Sequence, residues 1–156
     1  MVLKRIFDFL SSFLGLIIFW WLILIVWIIA TIETKSNGFF LQKRVGRHGK
    51  IFTIFKIKTM NPIYGIDTKI TTSHDKRINK CGKFFRKTKL DELPTLWNVL
   101  KGDMSLVGPR PDVPGYADKL EGNNKRILNI RPGITGPATI KYANEEKLLS
   151  NIRNPE

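Results

Sequence analysis

Two adjacent acidic residues, Asp91 and Glu92, stand at the start of a stretch with helical spacing and have the best prospects for chemistry. A carboxylate can attack phosphorus and form an acyl-phosphate when cations neutralise the phosphoryl oxygens. A second carboxylate beside it suits a divalent ion such as Mg²⁺, which takes one or two carboxylates together with substrate phosphates. An Asp-Glu pair at a helix start is, however, most often only a favourable cap. The neighbouring residues must show whether the pair is catalytic.

Basic residues flank the pair on both sides in the sequence. They are Arg86, Lys87, Lys89 and Arg110. Pro109 and Pro111 fix Arg110 between two rings in an extended path. The basic stretch 76–89 has a second interpretation, a solvated face or an attraction to anionic lipid headgroups, and the sequence leaves both open.

Other catalytic chemistries find no support in the residue spacing. His48, His74 and the single Cys81 are too far apart for a zinc motif, and one cysteine cannot build a disulfide framework. The glycines do not form a Walker or dinucleotide loop. Ser105 lacks the flanking glycines of a hydrolase elbow. The candidate chemistry is therefore phosphoryl transfer at the acidic pair.

A helix must present this pair, and proline determines where it begins. Apolar residues recur at helical spacing through LDELPTLWNVLKG. Because proline is tolerated in a first turn but breaks a helix interior, Pro94 predicts a helix that starts at about Leu90 to Glu92. Gly102 is the stop signal. The pair then lies where unpaired backbone N–H groups stabilise anions.

Upstream of the pair, the pattern predicts a β-hairpin with strands over 39–45 and 51–58 around a glycine-containing turn. A loop over 61–75 and a short basic helix over about 76–87 follow. Downstream, the prolines predict an extended path, then a polar helix over about 115–129. A short strand over 138–142 and a last helix beginning near Asn144 complete the pattern.

A 24-residue run without charge, Phe9 to Ile32, precedes all of this. As a helix it would reach about 36 Å, more than the roughly 30 Å of bilayer hydrocarbon. Lys4 and Arg5 precede the run and further basic residues follow it, so the positive-inside rule draws both flanks to the cytoplasm and favours a re-entrant helix. A single span is the alternative. Most of the net charge of +13 lies beyond the run.

These observations predict an α+β protein with two parts. Residues 1–35 form a membrane-embedded helix, re-entrant or spanning, and residues 36–156 form a small, mostly helical cytoplasmic-face catalytic domain that carries the hairpin. The two parts are expected to make one integrated unit. A function from another class stays open, a non-catalytic membrane-anchored basic module that binds anionic lipid or nucleic acid.

The chain resembles the bacterial sugar transferase family, the monotopic polyprenyl-phosphate phosphoglycosyl transferases. The resemblance runs from about residue 4 to residue 149 and rests mainly on LDELPTLWNVLKGDMSLVGPRP and RPGITG. It implies that a UDP-sugar donates a phosphosugar to a membrane polyprenyl (undecaprenyl) phosphate, with release of UMP, as the first membrane step of glycan assembly. It also implies residence in the bacterial inner membrane with the catalytic domain on the cytoplasmic face, and no nucleic-acid partner.

Carried over residue by residue, the family's acidic dyad falls on Asp91, the nucleophile, and Glu92, which supports Mg²⁺. Its active-site arginines fall on Arg86 and Arg110. Lys56 and Lys58 are further candidates for substrate binding near the membrane face.

The chain departs from the family pattern in three places. Trp20-Trp21 occupies the place of a helix-breaking Ser-Pro, and Ala143 stands near an arginine that some members use to hold the nucleotide. Relatives continue into further helical segments beyond the position of Glu156, so a truncated chain and a minimal form are the two alternatives, and a truncated chain could be inactive.

Overall fold

The computed structural model of the protein describes residues 2–61 and 75–141. It is an α+β structure in which a long apolar helix precedes a small domain with helices and a β-hairpin, which confirms the predicted fold class. The helices are α1 (Val2–Thr34), α2 (Lys80–Thr88), α3 (Thr95–Lys101) and α4 (Pro137–Lys141), and the strands are β1 (Phe39–Val45), β2 (Ile51–Ile57), β3 (Ser105–Val107) and β4 (Gly133–Thr135). Short 3-10 turns cover Arg47–Gly49, Leu90–Glu92, Ala117–Lys119 and Gly122–Asn129.

Helix α1 has 33 residues and two different faces. Within the part of the chain that the structure describes, it is the one helix long and apolar enough to cross a membrane. Its buried residues recur near helical spacing and mark one face: Asp8, Ser12, Val26, Ala30 and Thr34. The other residues are mostly large, apolar and exposed, and they include Trp20 and Trp21. One face of α1 therefore packs on the domain, and the other offers an apolar surface.

The N-terminal turns of α1 are bound to the domain by polar contacts. The Arg5 guanidinium donates to the carbonyls of Val99 and Leu100 at 2.6 and 2.8 Å, where it caps the C-terminal end of α3. The Asp8 carboxylate is buried and accepts from the Ser105 hydroxyl at 2.8 Å. These contacts join the start of α1 to both α3 and β3.

The remainder of α1 also lies against the domain. Gly15 faces the side chain of Leu96, which leaves little room for a Cβ atom. Nearer the C-terminal end, a core cluster joins α1 to β2 and α2: Val26, Ala30, Ile57 and Phe85. Beyond it, Glu33 accepts from the backbone N–H of Cys81 at 3.2 Å. The domain thus contacts α1 from its first turns to its last.

The predicted hairpin is confirmed, with β1 antiparallel to β2 from Phe39 opposite Ile57 to Val45 opposite Ile51. The other edge of β2 is bound by a side chain of α3. Asn98, fully buried, donates to the Thr53 carbonyl at 2.7 Å and accepts from the Phe55 N–H at 3.0 Å. Asn98 thereby fixes α3 to the strand pair.

Strands β3 and β4 pair in parallel, with Ser105 opposite Gly133. A Cβ atom on Gly133 would overlap the backbone of Gly108, so glycine is required for this approach. The Gly133 N–H also donates to the Pro109 carbonyl at 2.8 Å. The sequence blocks LDELPTLWNVLKGDMSLVGPRP and RPGITG therefore lie side by side. The sequence pattern did not predict this pairing.

Two predictions downstream of the acidic pair were wrong. The polar helix over 115–129 is instead two 3-10 turns, and both Gly115 and Gly122 between the elements have positive φ, at 106° and 57°. The strand over 138–142 is contradicted by α4, which begins at Pro137, since proline suits the first turn of a helix. The strand lies earlier, at β4.

Two helices begin at later residues than the sequence predicted. Helix α2 begins at Lys80 rather than near residue 76, because the Asn79 side chain caps it by accepting from the Gly82 N–H at 2.6 Å. Around the acidic pair, the chain forms a 3-10 turn over Leu90–Glu92, and the α-helix begins only at Thr95. Most of the predicted loop over 61–75 and the last predicted helix lie outside the described residues.

Candidate active site

The acidic pair lies on the 3-10 turn between α2 and α3. Lys89 adopts a left-handed conformation with φ 59°, which ends α2 and turns the chain into Leu90–Glu92. The Lys89 N–H donates to the Arg86 carbonyl at 3.3 Å, and the Glu92 N–H donates to the Lys89 carbonyl at 3.2 Å. The Thr95 hydroxyl donates to the Glu92 carbonyl. The backbone around both carboxylates is therefore fixed from each side.

The Asp91 side chain is buried without being satisfied. The residue is 7% exposed, and its Oδ1 atom has no hydrogen-bond partner among the described residues. Burial and then the charge of Glu92 raise the pKa of Asp91 to about 6, against the lowering effect of Lys56, Arg86 and Lys89. This differs from a helix cap, whose carboxylate accepts backbone N–H bonds and is stabilised as the anion.

Glu92 has the opposite electrostatic character. Burial alone would raise its pKa, but Lys56 and, more weakly, Lys89 and Arg110 lower the pKa below its ordinary value. The Lys56 ammonium contacts Glu92 Oε1 at 2.9 Å, with about a quarter of each side chain exposed. Glu92 is thus the member of the pair whose anionic form is stabilised, and Asp91 is the member whose charge is least stabilised.

The other predicted site residues have different placements. Arg86, in the last turn of α2, lies near Asp91 and lowers its pKa. Arg110 is exposed and lowers the pKa of Glu92. The Lys58 ammonium instead donates to the Ser36 hydroxyl at 2.8 Å, at the C-terminal end of α1. The structure therefore groups Lys56, Arg86 and Arg110 with the acidic pair and directs Lys58 elsewhere.

Sequence reasoning missed Arg44 and Asn98. Arg44 on β1 donates to the Pro111 carbonyl at 3.0 Å, next to Arg110. Asn98 binds β2, the strand that carries Lys56 at its end. Both contacts join segments more than 40 residues apart, and local periodicity contains no signal for such pairings. A buried amide in an otherwise apolar helical pattern was the only sequence hint.

The pair fits a Mg²⁺ ion only in part. Over residues 2–61 and 75–141, no cluster of three or more His, Cys, Asp or Glu side chains is present. Two carboxylates do meet the usual requirement for Mg²⁺, which takes one or two of them and completes its shell with phosphate and water. The unpartnered Asp91 Oδ1 and the Glu92 carboxylate could supply these oxygens. Substrate would have to supply the others.

The arrangement suits an anionic substrate. Four cationic side chains act on the two carboxylates: Lys56, Arg86, Lys89 and Arg110. A phosphate group placed among them would therefore have surroundings of net positive charge. Asp91 Oδ1 accepts no hydrogen bond from any described residue. A poorly stabilised carboxylate surrounded by cationic side chains is compatible with nucleophilic attack on phosphorus.

A protein-family comparison covers almost the whole chain. The family model described as "Bacterial sugar transferase" matches residues 1–153, almost the whole chain. The protein is a member of the bacterial sugar transferase family. The match extends over α1 as well as the acidic pair, so the membrane helix belongs to the shared unit of this sugar transferase. The resemblance inferred from the sequence motifs is confirmed.

The names of several relatives describe an activity. The chain is 41% identical to the "Uncharacterized sugar transferase EpsL" of Bacillus subtilis, over 92% of this chain and 71% of that protein. It is 34% identical to a "Putative undecaprenyl-phosphate N-acetylgalactosaminyl 1-phosphate transferase" of Bacillus subtilis, over 94% and 82%. It is 40% identical to the "UDP-glucose:undecaprenyl-phosphate glucose-1-phosphate transferase" of Klebsiella pneumoniae, over 90% of this chain but 31% of that protein. This sugar transferase therefore spans about a third of some relatives and most of others.

The raised pKa of Asp91 predicts a pH-dependent stability of the Asp91→Asn variant. Keeping this carboxyl ionised in the folded state costs free energy above about pH 6, whereas below pH 3.8 the group is protonated in both states and the cost vanishes. Asp91→Asn should therefore be more stable than wild type by about 2–3 kcal/mol at pH 8. Chemical unfolding in detergent at pH 4, 6 and 8 measures the difference.

The matched control is Asp118→Asn, which removes an exposed carboxylate and should show no such trend. Equal stability of Asp91→Asn and wild type at pH 8, or a difference that grows toward pH 4, would contradict the electrostatic description of Asp91.

Proposed function

We propose that this sugar transferase moves a phosphosugar from a UDP-sugar to a membrane polyprenyl phosphate and releases UMP. The observation that carries the proposal is the buried, unpartnered carboxylate of Asp91 among cationic side chains. The names of relatives that mention undecaprenyl phosphate and a UDP-sugar support these two substrates. Ordinary capping does not account for an acidic oxygen held without a partner.

In the first step, an Asp91 carboxylate oxygen attacks the phosphorus that bears the sugar. A bond forms between that oxygen and phosphorus, and the bond from phosphorus to the bridging oxygen breaks. UMP leaves with the bridging oxygen and its electron pair. The phosphosugar remains on Asp91 as an acyl-phosphate. The carboxylate must be ionised for this attack, so a pKa near 6 keeps most Asp91 reactive at neutral pH while avoiding a strongly stabilised anion.

In the second step, an oxygen of the polyprenyl phosphate attacks the same phosphorus. The bond to Asp91 breaks, the carboxylate is restored, and the product is a polyprenyl-diphosphate sugar. Two separate steps suit the location, because the soluble donor can react and leave before the lipid acceptor arrives through the bilayer. Each substrate in turn occupies the same cationic surroundings.

The remaining site residues hold charge in place. Arg86 lies beside Asp91, and Arg110 lies on the Glu92 side, so the two guanidinium groups can bind phosphate oxygens from different directions. Lys56 keeps Glu92 ionised and oriented. Glu92 and the donor phosphates would hold Mg²⁺, which when bound neutralises charge on the phosphate oxygens.

We also propose that α1 enters the membrane from one side and does not cross it. The domain binds α1 at Arg5 and again at Glu33, a separation of about 42 Å along a helix. If α1 crossed a hydrocarbon layer of roughly 30 Å perpendicularly, part of this polar domain would be inside the bilayer. A helix embedded with its apolar face outward avoids that cost. The basic residues on both flanks favour the cytoplasmic side.

The proposed reaction predicts UMP release that depends on Asp91. Wild-type protein with undecaprenyl phosphate, Mg²⁺ and a suitable UDP-sugar should release UMP, and Asp91→Asn should lower the rate by about 10³-fold or more because the nucleophile is lost. Glu92→Gln should weaken the dependence on Mg²⁺. Coupled nucleotide detection over a panel of UDP-sugars measures both effects.

Asp118→Asn serves as the control and should retain the wild-type rate. A wild-type protein that releases no UMP from any UDP-sugar, yet binds polyanions with a steep salt dependence, would favour the non-catalytic basic module instead.

The proposed topology predicts one-sided labelling of α1. In a Cys81→Ser background, single cysteines at Val2 and Lys35 should both react with a membrane-impermeant maleimide from the cytoplasmic side only, because both ends of α1 contact the same domain. Val2 is 76% exposed, so access is not limited by the fold. Labelling of position 2 from the outer face would instead show a spanning helix.

A further inference from the structure

Arg44 is held in a fixed orientation near Arg110, but the proposed reaction assigns it no role. It lies on β1 opposite Phe52, just before the hairpin turn. One guanidinium nitrogen donates to the Pro111 carbonyl at 3.0 Å, and another donates to Gln42 Oε1 at 2.6 Å. Its Nε atom is buried without a hydrogen-bond partner among the described residues. A guanidinium held this firmly is oriented rather than freely solvated.

The segment that Arg44 binds carries Arg110. Pro109 and Pro111 enclose Arg110, and the Val45 N–H donates to the Asp112 carbonyl at 2.9 Å. Together with the Arg44 bond, this gives β1 two hydrogen bonds to the segment on the C-terminal side of Arg110. On the other side, the Pro109 carbonyl accepts from the backbone N–H that begins β4. The backbone of Arg110 is therefore fixed at both sides.

Arg44 and Arg110 are also close enough to influence each other. Burial and then the charge of Arg110 lower the pKa of Arg44, while Asp112 partly offsets them. Arg110 in turn lowers the pKa of Glu92. The Arg110 guanidinium thus acts electrostatically on both a like charge and an acidic group. Repulsion from Arg44 disfavours conformations of Arg110 that bring the two guanidinium groups together.

We propose that Arg44 is a positioning residue that holds the Pro109–Pro111 segment and directs Arg110 toward the donor diphosphate. This inference rests on the proposed function, since it assigns Arg44 a role in donor binding. Arg110 is exposed and has a long, flexible side chain, so a fixed backbone and a nearby like charge reduce the conformations it must give up when it binds phosphate. Arg44 acts through Arg110 and need not touch the substrate.

Arg47 offers a matched control within the same hairpin. It has the same charge, and its Nε donates to a backbone carbonyl, that of Asn129, at 2.9 Å. That carbonyl lies at the end of the 3-10 turn Gly122–Asn129, outside the Pro109–Pro111 segment. Arg47→Gln therefore removes one positive charge and one arginine–backbone bond without releasing Arg110.

The test is a double-mutant cycle on the full chain in detergent or nanodiscs. Arg44→Gln should raise KM for the UDP-sugar about tenfold with a smaller change in kcat, and Arg47→Gln should change KM less than about twofold. In an Arg110→Gln background, Arg44→Gln should add less than about twofold, because the residue through which it acts is gone. Calorimetric titration with UDP should show the same non-additive losses of affinity.

Equal effects of Arg44→Gln and Arg47→Gln, or full additivity with Arg110→Gln, would overturn the role of Arg44. Wild-type protein that binds UDP but releases no UMP would contradict the proposed reaction alone, since the UDP cycle still tests Arg44. If Arg44→Gln does not fold, Gln42→Ala decides: it keeps Arg44 but removes the side-chain amide whose oxygen accepts from it, and it should weaken UDP binding about threefold. Unchanged UDP affinity in Gln42→Ala would then reject the proposal.

Discussion

The placement of two carboxylates side by side in a mostly buried turn is the constraint on which the rest of the structure depends. Burial disfavours both charges, the charge of Glu92 further disfavours that of Asp91, and cations from other segments offset these effects. Those cations come from separate segments: Lys56 lies near the end of the hairpin strand β2, Arg86 lies in the last turn of α2, Lys89 directly precedes the turn, and Arg110 lies between two prolines. The compensation is uneven, and Asp91 remains the poorly stabilised member.

The fold can be understood as the means of keeping these segments in register. Asn98 fixes the helix after the acidic pair to β2, and the parallel pairing of β3 with β4 fixes the segment that carries Arg110. Helix α1 joins both arrangements, through Arg5 at the end of α3 and through Asp8 at β3. Helix α1 is therefore part of the scaffold that holds the candidate site.

Local sequence chemistry predicted the features that depend on near neighbours. The hairpin followed from its aromatic and β-branched strands, and Pro94 correctly indicated a new helix start close to the acidic pair, although the α-helix begins at Thr95, later than the predicted start at about Leu90 to Glu92. The polar stretch near Gly122 has helical composition but lacks an apolar face long enough to pack, and it forms only 3-10 turns. Glycine and proline in the RPGITG block read as turns, while the structure uses Gly133 to start a strand.

Contacts between distant segments could not be predicted in this way. The pairing of Asn98 with β2 and the bond from Arg44 to Pro111 each depend on how elements pack, and a single sequence contains no periodicity that reports it. Asp8 directly precedes the apolar run, and its burial against the domain depends on contacts with residues about 100 positions away. The candidate residues of the site were accessible to sequence reasoning because their chemistry is local. The residues that position them were not.

Mass spectrometry of the intact protein after incubation with a UDP-sugar and Mg²⁺ but no acceptor decides whether Asp91 carries a covalent phosphosugar. We expect a mass increase equal to one phosphosugar, mapped by fragmentation to Asp91 and removed when undecaprenyl phosphate is added. An adduct on another residue, or UMP release under acceptor-containing conditions with no adduct at any time, would contradict a covalent role for the Asp91 carboxylate.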